Sequence, residues 1–482
     1  MSELDRTPDW VKHAVFYQIF PDRFASSEDV VKPDNFEPWD IPPTINGFKG
    51  GDLLGIYEKL DYLEDLGITA IYLNPIFQSA SNHRYHTHDY YQVDPLLGGN
   101  SAFEVLLKAA HRRNIHIVLD GVFNHASRGF YQFNHILETG ENSPYLHWFD
   151  IYGFPLHAYD GKPNYRCWWS LPALPEFNTD NPQVRKYLLD IARYWVDQGI
   201  DGWRLDVPFE IDDDDFWRDF RSVVKTGNPD AYIVGEIPSE AQRWLKGDMF
   251  DAVMNYQFTL MCLEFFGGNT IDYSLAEGMM GFSGIKQINA NAFMQRSAEL
   301  LKLYPDEFSL AQMNLLDSHD MPRFLSLVRN DKEKFYLASL FQMTYPGAPC
   351  IYYGDEIGLF GGKDPECRKS FPWDETRWDH DLHNRVRELI QLRHAIPALR
   401  TGEYLPLLTE AGLIAYLRKD PNDCAIVIIN TDPAAHELTI PVQSILEDGT
   451  ELQDQLGELH VSVVNGALRN LHIPAQTGLI MA

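Results

Sequence analysis

Eight short runs of apolar, β-branched and aromatic residues recur along this chain, and most are followed by a stretch with helical period. They lie at 14–20, 68–77, 115–120, 200–207, 231–236, 250–256, 312–319 and 347–356. Such alternation predicts parallel strands joined by crossover helices. Eight consecutive units close most simply into a (β/α)8 TIM barrel, an α/β fold, rather than an open sheet. Two of the helices are plain: 101–113 and 181–198 carry apolar residues at three and four spacing. The second opens at Asp180-Asn181-Pro182, a cap residue followed by proline in the first turn.

One connection departs from the alternation. About 55 residues rich in aromatics, Gly and Pro separate the third run from the helix at 181, too many for an ordinary loop, and read as a small inserted domain after strand 3. Past residue 398 strand-like runs at 412–419, 424–430, 436–442 and 459–465 alternate with Asp, Asn, Pro and Gly. The expected organisation is therefore a barrel over 1–123 and 174–398, an inserted domain over 124–173, and a C-terminal all-β sandwich over 399–482.

Charge narrows the partners. The 482 residues hold 69 acidic against 40 Lys and Arg, a formal charge of −29. A field of that sign repels phosphate backbones and anionic lipid, so neither nucleic acid nor a membrane surface is expected as a partner. The five cysteines, Cys167, Cys262, Cys350, Cys367 and Cys424, form no CxxC pair, which fits a reducing compartment. The N-terminus MSELDRTPDW has no signal-peptide pattern, and no apolar run approaches the ~18 residues of a membrane span. A cytoplasmic protein is expected.

In a closed barrel the reactive groups sit at the C-terminal ends of strands. Polar residues ending the apolar runs are Asp120, Arg204, Asp206, Glu236, His319 and Asp320. Any one Asp at a strand end is more often a cap or turn former; four carboxylates at one mouth are a different matter. They push their pKa values apart into acid and base roles. That is the requirement of a retaining glycosidase, whose ionised nucleophile and protonated acid/base stand ~5–5.5 Å apart. Arg204 lies two residues before Asp206 on the same side of the strand and is expected to keep that carboxylate ionised, which makes Asp206 the nucleophile. Glu236 has no basic residue within six positions and takes the acid/base role. Asp320, His319 and His125 are placed to grip sugar hydroxyls as charge develops.

The stretches DGVFNH (120–125), GWRLDVPFE (202–210), GEIPSE (235–240) and NLLDSHDMPRF (314–324) resemble the four ordered signature regions of the α-amylase family of retaining glycoside hydrolases. YQIFPDRF (17–24), SNHRYHTHDYYQVDP (81–95), LPEFN (174–178) and GGKDPECRK (361–369) narrow the resemblance to the cyclomaltodextrinase, neopullulanase and maltogenic amylase group. It implies hydrolysis of α-1,4-glucosidic bonds in maltooligosaccharides, cyclodextrins and related α-glucans, with α-1,6 activity on pullulan or branch points. It assigns Asp206, Glu236 and Asp320 as nucleophile, acid/base and transition-state stabiliser. It places Tyr85 beneath the sugar, His125, Arg204 and His319 on its hydroxyls or the nucleophile, and Asp364 with Arg368 at the next glucose. Read alone, Tyr85 is a core aromatic and Arg368 a solvated charge. Asp120 belongs to the same set, and Glu210 stands where the dextrin-acting group usually carries Glu.

Several positions depart from the group pattern. The first barrel strand begins near residue 14, where the group carries an extra N-terminal β-domain, so any homodimer is expected to use other surfaces. Pro238 replaces a Trp two residues after the acid, widening the acceptor side, and His86 stands where Asp is expected. The segment ASSEDVVKPDN (25–35) lacks the ligand spacing of an oxygen cage. No cofactor is expected, calcium being the one ion the resemblance leaves open. A debranching or 4-α-glucan-transferring enzyme on the same scaffold, and a catalytically silent amylase-like binding protein, are the alternative readings. HRYHTHDY (83–90) has spacings a transition metal accepts, but a glucan cleft uses the same side chains for hydroxyls. The acidic run at 212–215 reads as a helix start.

Overall fold

The computed structural model describes residues 6–279, 282, 284–443 and 445–482. Its eight parallel strands are β1 (Phe16–Ile19), β2 (Ala70–Leu73), β3 (His116–Gly121), β4 (Gly202–Leu205), β5 (Tyr232–Gly235), β6 (Ala252–Val253), β7 (Met313–Leu315) and β8 (Ala348–Tyr352). The sheet runs in the order β6-β5-β4-β3-β2-β1-β8-β7. A parallel bridge between Met254 and Met313, with Asn255 N donating to Met313 O at 2.8 Å, joins its two edges and closes the barrel. All residues of β1, β2 and β4–β8 are buried. Strands covered on both faces read as continuous apolar runs, which is why the alternation is visible as blocks.

Caps set the helix starts. Asn181 Oδ1 accepts from Gln183 N at 2.9 Å and Pro182 fills the first turn of Pro182–Asp197. Asp213 Oδ1 accepts from Phe216 N at 2.9 Å at the head of Asp214–Gly227, so the acidic run serves that N-terminus.

Between β3 and the helix at Pro182, the chain makes a helix (Tyr131–Thr139) and short bridges. Those of His125 with Glu176 and Cys167 with Pro175 fold the far part of this segment back against the end of β3.

The C-terminal part forms two four-stranded antiparallel sheets. One is β9 (Glu403–Glu410), β10 (Leu413–Lys419), β11 (Cys424–Asn430) and β16 (Thr477–Met481). The other is β12 (His436–Pro441), β15 (Ala467–Ile473), β14 (His460–Val464) and β13 (Glu451–Gln453). Along β10, Leu413, Ala415 and Leu417 face the sandwich core, while Ile414 and Tyr416 join the barrel core. The period of two thus welds one sheet face to each neighbour. Among the described residues no helix is long and apolar enough to cross a membrane.

Candidate active site

Strand register brings the site together. Asp120 pairs with Arg204 across β3 and β4, and Leu205 pairs with Gly235 across β4 and β5. Asp206 and Glu236 each follow those partners by one residue, so they emerge at the same level of neighbouring strands. Asp206 N donates to Gly121 O at 3.1 Å and Glu236 N to Leu205 O at 2.9 Å.

Arg204 is fully buried beneath them. Its Nη1 lies 2.9 Å from Asp120 Oδ1 and 3.0 Å from Asp206 Oδ1, and its Nη2 lies 2.8 Å from Glu236 Oε1. One rigid planar cation therefore spans three carboxylates. Glu236, with no basic residue within six positions in sequence, thus gains its cation from the neighbouring strand. The six-residue window counts neighbours in sequence, whereas register puts β4 beside β5.

Burial pushes the Asp206 carboxyl well above the usual carboxylate range, Arg204 opposing and Glu236 adding to the rise. Burial raises Glu236 as well, again against Arg204, with Asp320 pushing further. Arg204 opposes that rise at both carboxyls, as expected for Asp206, but one guanidinium is shared among three buried carboxylates, so burial prevails in direction. Glu236 is gripped by Val207 N, which donates to Oε2 at 3.1 Å, and by Tyr256 Oη, which donates to Oε1 at 3.2 Å. Val207 adopts φ 37°, ψ 49°, a left-handed conformation costly for a β-branched residue, and it is this residue whose amide meets the Glu236 carboxyl.

Asp120 accepts from Tyr72 Oη at 2.6 Å and Tyr85 Oη at 2.8 Å besides Arg204. Its lone pairs are committed, so it orients neighbours rather than reacting. Burial, then the Arg368 and Arg204 charges, hold His319 well below its usual pKa and keep it neutral. Gln18 Nε2 and Asn74 Nδ2, both amide donors, approach its Nδ1 at 2.9 and 3.2 Å. Nδ1 therefore accepts, and Nε2 carries the hydrogen toward Tyr85 Oη at 2.7 Å and Asp320 Oδ2 at 3.1 Å.

Asp320 stands more open, its side chain 35% exposed, and is steadied by Arg368 Nη2 at 3.3 Å. Arg368 also reaches Asp364 at 3.2 Å and donates from Nε to His319 O at 2.8 Å. Arg368 is therefore an interior bridge, not a solvated charge, and Tyr85 is half-buried at the mouth, not in the core. Burial drives His125 down to about 3; its ring stacks on Trp168 with centroids 5.4 Å apart. Glu210 stands apart: half-buried, it makes no ion pair with the cluster and acts on Glu176 instead.

Gln18, Tyr72, Asn74 and Tyr256 escape a reading of the sequence. A lone polar residue inside an apolar run, as Gln18 in FYQIF and Asn74 in YLNPIF, is the available signal. Beyond Glu236 a cleft of about 710 Å³ opens, lined by Pro238, Ser239, Gln257, Tyr273, Glu277 and Phe282 among others.

The loop after β1 does not fit calcium. Lys32 Nζ donates to Ser26 Oγ at 2.6 Å, Ser27 O at 2.7 Å and Asp52 Oδ2 at 2.6 Å, so an ammonium fills the place of a cation. No group of three or more His, Cys, Asp and Glu among the described residues is arranged to hold a metal ion.

The family model described as the alpha amylase catalytic domain matches residues 18–395. A cyclomaltodextrinase from a Bacillus species is 46% identical over 435 residues, 89% of this chain and 75% of that protein. The solved structure of Ttha1563 from Thermus thermophilus superposes with a TM-score of 0.95 at 47% identity, covering 98% of this chain and 99% of that one. The debranching enzyme from Nostoc punctiforme gives a TM-score of 0.90 at 47% identity, covering 99% of both chains.

Proposed function

Because the chain belongs to the alpha-amylase family and is a glycoside hydrolase of that family, we propose that it cleaves α-glucans with retention, using Asp206 as nucleophile, Glu236 as acid/base and Asp320 as transition-state stabiliser. The observation that carries this reading is the single guanidinium of Arg204 in contact with both Asp206 and Glu236. It holds the two carboxylates close together at one mouth, where they can flank a single linkage as double displacement requires.

In the first step an Asp206 oxygen bonds to the anomeric carbon as the glycosidic C–O bond breaks, and the proton of Glu236 passes to the leaving oxygen. In the second step water attacks that carbon, gives its proton to Glu236, and the bond to Asp206 breaks. Asp320, turned toward the open mouth and steadied by Arg368 and His319, meets the sugar hydroxyls as positive charge develops. Tyr85, held by Asp120, His319 and Asn74, forms a fixed face beneath the ring.

The substrates of this reading are α-1,4-linked maltooligosaccharides and cyclodextrins, with α-1,6 branch points also accepted. The cleft beyond Glu236 supports the second part: it is lined by residues that follow the proposed proton donor to the leaving group, and Pro238 puts no aromatic ring into it. Likeness to a debranching enzyme over nearly the whole of both chains favours the same conclusion. Five unpaired thiols fit work in the cytoplasm. The test is a comparison of initial rates on γ-cyclodextrin, pullulan and a maltosyl-branched cyclodextrin, with the anomeric configuration of the first product read by NMR. An α-configured product and measurable release from the branched ring are expected; an inverted product removes the mechanism.

A further inference from the structure

Two short files of aromatic rings start among the residues of this site, and the second reaches the surface. The His319 and Tyr85 ring centroids lie 5.5 Å apart, Tyr85 and His83 5.7 Å, and His83 and His86 5.0 Å. On the other side of the site the His125 ring stacks on Trp168 at 5.4 Å, and Trp168 stacks on Trp169 at 4.6 Å with the planes 7° apart. Nothing in the barrel core requires this outer part, because Trp169 is 67% exposed.

Its conformation is also expensive. Trp169 has φ 49° and the next residue, Ser170, φ 58°, both left-handed, where a bulky L-residue is an outlier. Strain of this kind persists where the surrounding structure and a function hold it. Two nitrogens along the second file, Trp168 Nε1 and His125 Nε2, are buried with no hydrogen-bond partner among the described residues. Buried polar groups left open in this way call for an explanation.

We propose that Trp169 is a stacking platform for a glucose unit of the bound α-glucan further along the chain than the one at Asp206, so that it sets preference for chain length. One face of the indole is spent on Trp168 and the other is open to a sugar ring, whose axial hydrogens suit a flat π face. The platform rests on the α-glucan reading above and adds to it a residue outside the reacting centre.

The experiment measures KM for maltotriose and maltoheptaose in the unmodified protein and in Trp169→Ala, Trp169→Leu and Trp169→Phe. The ratio of KM for maltoheptaose to KM for maltotriose is expected to rise about fivefold in Ala and Leu and to return near the original in Phe. Leu keeps an apolar contact with Trp168 but offers no flat face, so it separates stacking from packing. A ratio unmoved in both Ala and Leu overturns the platform, as does an equal rise for both sugars accompanied by a lowered melting temperature. Absence of hydrolysis of either sugar by the unmodified protein removes the α-glucan reading and the platform with it.

Discussion

Arg204 Nη2 lies 2.8 Å from Glu236 Oε1 across the junction of β4 and β5. The same guanidinium holds Asp206 at 3.0 Å, so the two carboxyls proposed to attack and to protonate share one counter-ion. Substituting Arg204→Lys replaces a planar fork with a point charge that cannot touch both. A fall in kcat/KM of about 10²–10³-fold is expected. Since Arg204 opposes the burial-driven rise of both carboxyls, its loss moves the acid limb of the pH–rate profile to higher pH. An acid limb shifted the other way contradicts this account.

Asp206→Asn is expected to abolish turnover, by about 10⁴-fold or more, while the fold persists. The sign of its effect on stability follows from linkage. The folded-state pKa of Asp206 is raised, so its contribution is fully present at low pH and is lost as pH rises from the unfolded value through the folded one. Above the unfolded value Asp206 therefore weakens the fold. The Asn variant should melt at the same temperature or higher than the parent at pH 7, as differential scanning calorimetry will report.

Glu236→Gln removes the transferable proton but not the nucleophile. Hydrolysis of maltooligosaccharides should fall by about 10²–10⁴-fold. Reaction with α-maltosyl fluoride, whose leaving group needs no proton, should be much less affected. Equal losses on both substrates remove Glu236 from the acid role.

Pro238→Trp puts a ring into the cleft beyond the acid. The rate on a maltosyl-branched cyclodextrin relative to γ-cyclodextrin should drop about threefold or more, and the ratio of transfer to hydrolysis should rise. Product analysis at high maltotriose concentration checks both.

Where β10 meets the barrel, buried Arg418 donates to Leu399 O and Gly402 O at 2.8 Å each and to Thr344 O. Burial lowers its guanidinium to about 10. Arg418→Met leaves these carbonyls unpaired and should cost about 3 kcal/mol of unfolding free energy, read by urea denaturation, without changing the KM of the residual activity.

Much of the site is legible in the sequence because a parallel barrel presents reactive groups at strand ends, and strand ends show as the polar residue closing an apolar run. Asp206, Glu236 and His319 stand at such ends, and Asp320 follows one. The supporting layer is less legible: Gln18, Tyr72 and Asn74 lie within apolar runs, and they reach His319 and Asp120 from β1 and the end of β2. Lys32, filling the oxygen cage after β1, looks like any loop lysine until Asp52 is brought against it.

The chain's own residues determined the alternation of strand and helix, the caps and the positions of the reactive side chains, because each depends on neighbours a few residues away. Only the tertiary structure decided which carboxylates each cation serves, how burial shifts them, and that Trp169 stands at the end of a stack. Those depend on barrel closure and strand register, which set distances between residues tens to hundreds of positions apart and remove the water that otherwise screens their charges.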